Sequence, residues 1–201
     1  MPNKRPKTRA GLRMKFWILL AVLMSGLFVV YDLWLVWREH SQDPVILAAA
    51  ARYGVEPALV KAVVWRESRF NPRARGKAGE IGLMQVGELA AREWADTERI
   101  QFFVHSQLFD PAKNTLAGTW YLRKLLDRYA GTDNPVPYAL ADYNAGRANV
   151  LKWAQGPAAT NSTLFIEQIG FPSTKQYVKA VIARFEHYKP IFPPPNTQGA
   201  R

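Results

Sequence analysis

Apolar residues are distributed in two different ways along the chain. The run FWILLAVLMSGLFVVYDLWLVW at residues 16–37 is almost entirely apolar and contains one charged residue, Asp32. At a rise of about 1.5 Å per residue, a helix of this length crosses the roughly 30 Å hydrocarbon core of a bilayer. The run therefore predicts one transmembrane helix. A cleaved signal peptide is the alternative, although no Ala-x-Ala cleavage site directly follows the run.

From residue 44 onward, apolar residues recur at the spacing of helix faces, and proline or glycine marks several of the ends. The predicted helices are 45–53, 56–68, 84–94, 112–129, 137–143, 147–154 and 175–188. No alternating apolar pattern longer than a few residues occurs, which predicts a mainly α fold without a substantial sheet. The stretch 96–109 has no clear pattern.

The two ends of the chain differ in composition from the rest. Residues 1–15 are basic and polar, which predicts a disordered tail, and the positive-inside rule places this tail in the cytoplasm. Residues 189–201 contain four prolines, which predict an extended tail. The predicted organisation is a basic cytoplasmic tail at 1–15, a transmembrane helix at 16–37, a folded domain at 44–188 and a proline-rich tail at 189–201.

Composition excludes several kinds of site. The chain has no cysteine, and its histidines, His40, His105 and His187, are scattered, so we predict no metal site and no cofactor. The net charge is +11, and from residue 38 onward 21 basic and 15 acidic residues leave +6. A basic domain suits an anionic polymer such as cell wall or nucleic acid. Because no nucleic-acid-binding motif occurs, nucleic acid is not a predicted partner.

One carboxylate lies on the apolar face of the predicted helix 56–68. Glu67 follows Val60, Val63 and Val64 by seven, four and three residues, which places it on their face of the helix. An ionised carboxylate there would be poorly solvated, so we expect a raised pKa of the kind that a general acid needs. The structural alternative is an ion pair between Glu67 and one of the nearby arginines, which are Arg66, Arg69, Arg73 and Arg75.

Four sequence blocks, in order, resemble one enzyme family. They are ESRFNPRA at 67–74 with GEIGLMQ at 79–85, LFDP at 108–111, ADYNAG at 141–146, and Tyr177-Val178. Asn114, Gly118 and Tyr121 match the pattern between the second and third blocks. The chain resembles the lytic transglycosylases of the soluble type, the SLT-domain enzymes, which are relatives of goose-type lysozyme. The resemblance covers about residues 44–188.

The resemblance implies a mainly α, lysozyme-like transglycosylase domain, and the apolar run predicts that a single N-terminal transmembrane helix precedes it. It implies cleavage of the β-1,4 bond between N-acetylmuramic acid and N-acetylglucosamine in peptidoglycan, with formation of 1,6-anhydromuramic acid. Glu67 would be the catalytic acid and base. Met84 is expected to form an apolar wall against a sugar face, and Tyr143 to hold the acetamido group or Glu67 itself. The residues expected to bind substrate are Ser68, Met84, Gln85, Tyr143, Asn144 and Tyr177.

The apolar run and the basic residues before it predict one pass through residues 16–37 with a cytoplasmic N-terminus. With the resemblance, this predicts a Gram-negative inner-membrane protein whose periplasmic catalytic domain acts on peptidoglycan glycan strands. Hydrolysis by water, as in a muramidase, is the nearest alternative activity. A second alternative is a wall-binding scaffold subunit of an envelope-spanning secretion or conjugation apparatus, with little or no catalysis.

Three positions depart from the family pattern. The family usually has Ser where this chain has Gly76, Ala where it has Glu80, and Glu where it has Ser173. These departures affect the expected substrate preference and rate. We interpret Glu80, like Asp110 and Asp142, as a helix cap or a solvated charge rather than as a second catalytic carboxylate.

Overall fold

The computed structural model describes residues 9–192, with side chains from residue 13 onward. Two compact units are present, the first ending at His40 and the second beginning at Ser41. The first unit is one helix, α1 (Arg9–His40), whose apolar side chains are exposed along the predicted span 16–37. Within the described residues, one helical stretch is long and apolar enough to cross a membrane, and none of its most apolar window is buried.

The start of α1 corrects one prediction. Residues 9–15 are helical, although residues 1–15 were predicted to be disordered. The reason is local, because Arg, Leu, Met and Lys are good helix formers and an established helix extends at little cost. Residues 1–8 lie outside the described part of the chain.

The second unit is built from helices. They are α2 (Asp43–Tyr53), α3 (Pro57–Ser68), α4 (Glu88–Thr97), α5 (Pro111–Arg128), α6 (Pro135–Ala145), α7 (Arg147–Trp153), α8 (Ser162–Gln168) and α9 (Pro172–Tyr188), with short 3-10 helices at His105–Phe109 and Gly156–Ala159. Between residues 9 and 192 the only β pairing is a pair of isolated bridges that join Ile81 to Arg75 and to Val86. The predicted mainly α fold is confirmed.

The central helix of this unit is α3. Pro57 occupies its first turn, and residues 57–64 are all buried, including the charged Lys61. It packs most extensively on α9, while α2 packs on α5, and α6 lies against both α5 and α9. This arrangement places the end of α3 beside helices from the second half of the chain.

Six of the seven predicted helices are confirmed with small shifts of their ends. The exception is the helix predicted at 84–94, which begins only at Glu88 because residues 81–86 form a bridged turn. Gln85 therefore lies in this turn, with a left-handed φ of 48°, rather than in a helix. The short helix α8 was not predicted, since it has seven residues and buries only Ser162 and Phe165.

Asp43, near the beginning of the second unit, and Phe192, the last described residue, both contact one buried lysine. Lys61 is 1% exposed, and its Nζ lies 2.5 Å from Oδ1 of Asp43 and 4.5 Å from the ring centre of Phe192. The predicted extended tail at 189–201 is therefore wrong for residues 189–192. These residues turn back because burial of Phe192 is favourable, and the Phe192 N–H donates to the carbonyl of Tyr188 at 2.7 Å. Residues 193–201 lie outside the described part.

Candidate active site

Glu67 lies in the last turn of α3. The helix ends at Ser68, and Arg69 caps it in a left-handed conformation with φ of 53° while its N–H donates to the carbonyl of Trp65. The following Asn71-Pro72 disfavours continuation of the helix. The chain then enters the glycine loop, residues 76–87, which leads to α4. Glu67 is thus a partly buried carboxylate at the junction between a rigid helix and a loop.

Tyr177 of α9 is the hydrogen-bond partner of Glu67. Its hydroxyl donates to Oε1 of Glu67 at 2.6 Å. Burial raises the pKa of Glu67 to about 7, the Tyr177 hydrogen bond and the charge of Arg66 act in the opposite direction, and the charge of Glu80 raises it further. This confirms the predicted direction of the shift and its main cause. Near neutral pH the group can therefore both donate and accept a proton.

The predicted alternative for Glu67, an ion pair with a neighbouring arginine, does not occur among the described residues. Three of the candidate arginines instead place their guanidinium groups over aromatic rings, which is a favourable contact for a cation. The pairs, with distances to the ring centre, are Arg66 with Tyr177 at 5.2 Å, Arg69 with Trp65 at 3.8 Å and Arg75 with Phe109 at 4.5 Å.

A buried amide on α5 fixes the glycine loop. The side chain of Asn114 accepts from the N–H of Met84 at 2.8 Å and donates to the carbonyls of Ile81 at 2.8 Å and Leu108 at 2.9 Å. Gly82 has a φ of 79°, and a Cβ there would lie 2.1 Å from Nδ2 of Asn114, so this contact requires glycine. Sequence reasoning gave Asn114 no role, although a polar residue within a buried helix face was the available signal.

Met84 lies beneath the site rather than on its surface. Its side chain is 0% exposed and packs against Gly118, where an added Cβ would lie 2.5 Å from the Met84 sulfur. The expected apolar wall against a sugar is therefore corrected. The Tyr143 hydroxyl donates to the carbonyl of Met84 at 2.7 Å, so Met84 acts through its backbone. Of the two expected partners of Tyr143, Glu67 is therefore not the one that its hydroxyl bonds, and a contact with the acetamido group stays a prediction. Burial, and after it the charge of Glu67, raise the pKa of Tyr143 well above 10.

A cleft of about 410 Å³ opens beside the glycine loop, a volume within the usual range of small-ligand sites. Gln85, Tyr121 and Tyr143 line it together with Glu80 and residues 86–90. Gln85 is held by a hydrogen bond from its Nε2 to the carbonyl of Gly82 at 3.0 Å. Tyr121 and Tyr143 are in ring contact, with centres 5.5 Å apart. Tyr121 and Glu80 are cleft residues that sequence reasoning did not assign to the site.

The remaining predicted site residues bond to other parts of the protein. The hydroxyl of Ser68 donates to the carbonyl of Val64 at 3.2 Å. Asn144 is exposed at the end of α6, and its Oδ1 accepts from the hydroxyl of Thr174 at 2.8 Å. The structure thus joins Glu67 directly to Tyr177 and places Gln85 and Tyr143 in the cleft wall, whereas Glu67 and Tyr177 are not among the residues that line the cleft. Substrate contacts of Ser68 and Asn144 stay predictions.

Two other carboxylates have structural roles. Asp110 caps α5 by accepting from the N–H of Lys113 at 2.9 Å, as predicted. Asp142 is 2% exposed and bonds to Arg128 at 2.6 Å and to the Tyr129 hydroxyl at 2.7 Å, so its interpretation as a cap or a solvated charge is wrong. Within residues 13–192, no group of three or more His, Cys, Asp or Glu is arranged to hold a metal ion.

The family model described as Transglycosylase SLT domain matches residues 44–166 of the chain. The chain belongs to this family. The match includes Glu67, the glycine loop and Tyr143, whereas Tyr177 lies beyond the matched residues. The resemblance of the sequence blocks to the SLT-domain family is therefore confirmed.

Related proteins support the assignment to the SLT family. The chain is 38% identical over 127 residues to the membrane-bound lytic murein transglycosylase C of Pectobacterium atrosepticum, covering 57% of this chain and 34% of that protein. The protein of the same name from Serratia proteamaculans is 35% identical over 147 residues, covering 64% and 39%. The 70 kDa soluble lytic transglycosylase from Escherichia coli superposes with a TM-score of 0.67 at 26% identity, covering 75% of this chain and 24% of that one.

This SLT-family chain is short beside its relatives. It spans between a third and two fifths of the curated relatives it matches and about a quarter of the solved one. The shared part contains the helical SLT fold, so the predicted lysozyme-like fold class is confirmed.

Proposed function

We propose that the chain is a peptidoglycan lytic transglycosylase. It cleaves the β-1,4 bond between N-acetylmuramic acid and N-acetylglucosamine and closes a 1,6-anhydro ring on the muramyl sugar. The observation that carries this proposal is the partly buried Glu67, which has a pKa of about 7 and is bonded to Tyr177. Two residues that line the cleft, Glu80 and Tyr143, interact electrostatically with Glu67. The names of the SLT relatives, which are lytic murein transglycosylases, support the substrate class.

In the first step Glu67 is the acid. Its carboxyl proton moves to the glycosidic oxygen as the bond from the muramyl C1 to that oxygen breaks. The acetamido carbonyl oxygen of the same muramyl sugar stabilises the positive charge that develops at C1. Because burial raises its pKa to about 7, a large fraction of Glu67 is protonated at neutral pH and available for this step.

In the second step Glu67 is the base. Its carboxylate removes the proton of the muramyl C6 hydroxyl, whose oxygen forms the new bond to C1. The products are an N-acetylglucosamine end with a free hydroxyl and a 1,6-anhydromuramyl end, and Glu67 is protonated again. The Tyr177 hydrogen bond stabilises the carboxylate between the two steps.

The cleft residues would orient the sugar. Gln85 can both donate and accept hydrogen bonds, and the carboxamide of Asn144 has the same capacity. Tyr143 and Tyr121 offer aromatic faces at the cleft wall. We propose contacts of Ser68, Gln85, Tyr143 and Asn144 with the substrate, and for Tyr177 a positioning role through Glu67.

The test is the chemical nature of the released ends. The 201-residue chain in detergent micelles, incubated with purified sacculi, is expected to release muropeptides that are lighter than their hydrolysed counterparts by one water molecule. Glu67→Gln, which cannot transfer the proton, is expected to lower the rate by at least about a thousandfold. Reducing ends in place of anhydro ends would make the protein a muramidase, and equal activity of Glu67→Gln would exclude Glu67 as the acid.

We also propose a single-pass inner-membrane protein, with residues 1–15 in the cytoplasm, residues 16–37 in the membrane, the catalytic domain at 44–188 in the periplasm and a tail at 189–201. The apolar helix α1, the basic residues before it and the membrane-bound SLT relatives support this placement. Alkaline phosphatase is active only outside the cytoplasm, so a fusion of this enzyme to the C-terminus is expected to be active. An inactive fusion would reverse the orientation. Attachment to a secretion or conjugation apparatus stays a prediction.

A further inference from the structure

Gly76 and Glu80, two of the three positions at which the chain departs from the family pattern, touch each other. An added Cβ at Gly76 would lie 2.2 Å from Oε2 of Glu80 and 2.9 Å from Oε1 of Gln85. Both distances are shorter than real Cβ contacts, so the carboxylate of Glu80 occupies the space that a side chain at position 76 would fill. Glycine at position 76 is therefore what admits Glu80 to this place beside Gln85.

Both oxygens are held in position by the loop. Oε2 of Glu80 accepts from the N–H of Ala78 at 3.1 Å, and the N–H of Gly76 donates to the carbonyl of Glu80 at 2.7 Å. The amide group of Gln85 donates through Nε2 to the carbonyl of Gly82, and its Oε1 lies 2.9 Å from the position of an added Cβ at Gly76. A carboxylate oxygen and an amide oxygen thus converge over one glycine at the edge of the cleft.

Within the described part of the chain, no basic side chain forms an ion pair with Glu80. Among the described residues, the cleft lining contains two carboxylates, Glu80 and Glu88, and no lysine, arginine or histidine. Glu88 is paired with Arg92 at 2.6 Å, so Glu80 is the cleft carboxylate that has no ion pair within residues 13–192. This is unexpected in a domain of net positive charge, and it favours a positively charged ligand.

We propose that Glu80 and Gln85 form a subsite for a primary ammonium group of the glycan substrate. An ammonium group supplies three donors and a positive charge, whereas a hydroxyl supplies one donor and no charge. In peptidoglycan such a group is either the 2-amine of a sugar that lacks its N-acetyl group or a free amine of the stem peptide. The inference rests on the proposed function, because it concerns a substrate of the same cleft.

Binding is measured with the inactive Glu67→Gln variant of the full chain in detergent micelles, so that turnover does not interfere. The probes are glucosamine and N-acetylglucosamine oligomers of equal length, titrated by calorimetry in mildly acidic buffer, where the sugar amines are protonated. We expect the glucosamine oligomer to bind at least about ten times more tightly. Adding Glu80→Gln, which keeps the size and removes the charge, is expected to abolish the preference.

Two further variants separate charge from position. Glu56→Gln, added to the same background, removes an equal charge from an exposed residue outside the cleft and is expected to keep the preference. Gly76→Ala keeps the Glu80 charge but displaces its carboxylate, so we expect it to lose the preference. An unchanged preference in Glu80→Gln, or equal losses in Glu80→Gln and Glu56→Gln, overturns the subsite.

The source of the ammonium is determined with active protein. One substrate is peptide-free glycan with partly deacetylated sugars, and the other is fully acetylated glycan that carries stem peptides. If Glu80→Gln lowers kcat/KM only on the deacetylated, peptide-free glycan, the ammonium group is the sugar amine. If it lowers kcat/KM only on the acetylated glycan with stem peptides, the ammonium group belongs to the stem peptide. If wild-type protein cleaves neither, the proposed function fails, while the binding preference of the inactive variant still decides the subsite.

Discussion

The hydroxyl of Tyr177 donates a 2.6 Å hydrogen bond to the carboxylate of Glu67 across 110 positions of sequence. Each group influences the other, since burial and, after it, the charge of Glu67 raise the pKa of Tyr177 well above 10. Tyr177 therefore remains a neutral donor throughout the physiological range. Its bond favours the ionised form of Glu67 and offsets part of the effect of burial.

Tyr177→Phe is expected to shift the pH profile of the reaction. Without the donor, the pKa of Glu67 rises above about 7, so the acid stays protonated to higher pH. A hydrogen bond to a charged group contributes about 1.5 kcal/mol, which corresponds to a shift of about one pH unit. The basic limb of kcat/KM against pH, measured by release of anhydromuropeptides, is expected to move upward by this amount.

The matched control for that measurement is Tyr138→Phe. The Tyr138 hydroxyl donates to the carbonyl of Ala158 at 2.8 Å, within the core and outside the cleft lining. Its loss is expected to lower stability and leave the pH profile in place. A downward shift in Tyr177→Phe, or the same shift in both variants, would contradict the role given to Tyr177.

Glu67→Gln is expected to stabilise the fold at alkaline pH. The pKa of Glu67 is raised from 4.5 in the ordinary state to about 7 in the fold, so the folded protein binds more protons than the unfolded chain between these values. Wild-type stability therefore falls as the pH rises through this window. Glutamine does not titrate, so the variant avoids a loss of about 3 kcal/mol above pH 7.

Urea unfolding of both proteins at about pH 4 and about pH 8 measures this difference. The two free energies of unfolding are expected to be close at the acidic pH and to separate at the alkaline pH, with the variant more stable. The exposed substitution Glu56→Gln is the control and is expected to give a small difference at both values. If Glu67→Gln raised the free energy of unfolding equally at both pH values, burial would not be what raises the pKa of Glu67.

Asn114→Ala is expected to weaken both the fold and the site. The substitution leaves the Met84 N–H and the carbonyls of Ile81 and Leu108 without their buried partner. Unsatisfied buried groups of this kind cost about 1–3 kcal/mol each, so we expect a loss of at least about 3 kcal/mol. Thermal unfolding and muropeptide release measure the two effects. Asn149→Ala, which removes a single bond to the carbonyl of Ala145, is expected to lose less than about 1.5 kcal/mol.

Gly118→Ala tests the support beneath the cleft. The new methyl group would lie 2.5 Å from the sulfur and 2.7 Å from Cβ of Met84, so Met84 and the adjoining Gln85 must shift. Such overpacking costs about 1–3 kcal/mol, which exceeds the gain in helix propensity of about 1 kcal/mol. We expect lower stability and a higher KM for glycan. Gly131→Ala, where nothing lies within 4 Å of the added carbon, is expected to leave KM unchanged.

The sequence predicted the part of the site that depends on a single helix. The positions of Val60, Val63 and Val64 indicated that Glu67 faces the interior, because helix periodicity is a local property. The partner of Glu67 was not predictable in this way. Tyr177 reaches it only because α3 packs on α9, and several other aromatic residues had the same chemistry.

The glycine loop shows the same limit. Met84 was expected at the surface, but Gly118 admits its side chain to the interior. The first turn of the predicted helix at 84–94 is replaced by a turn in which Ile81 and Val86 pair across the loop. The place of Glu80 depends on the absence of a side chain at Gly76, a relationship between neighbours that composition and spacing do not reveal.

Lys61 makes the folded domain sensitive to where the chain is cut. Its buried ammonium group depends on the carboxylate of Asp43, the first residue of α2, and on the ring of Phe192, which lies four residues after the end of α9. Removal of Asp43 would leave a cation without compensation in an apolar interior, a large penalty for a domain of ordinary stability. A soluble version made for crystallisation or inhibitor screening therefore needs to keep both Asp43 and Phe192.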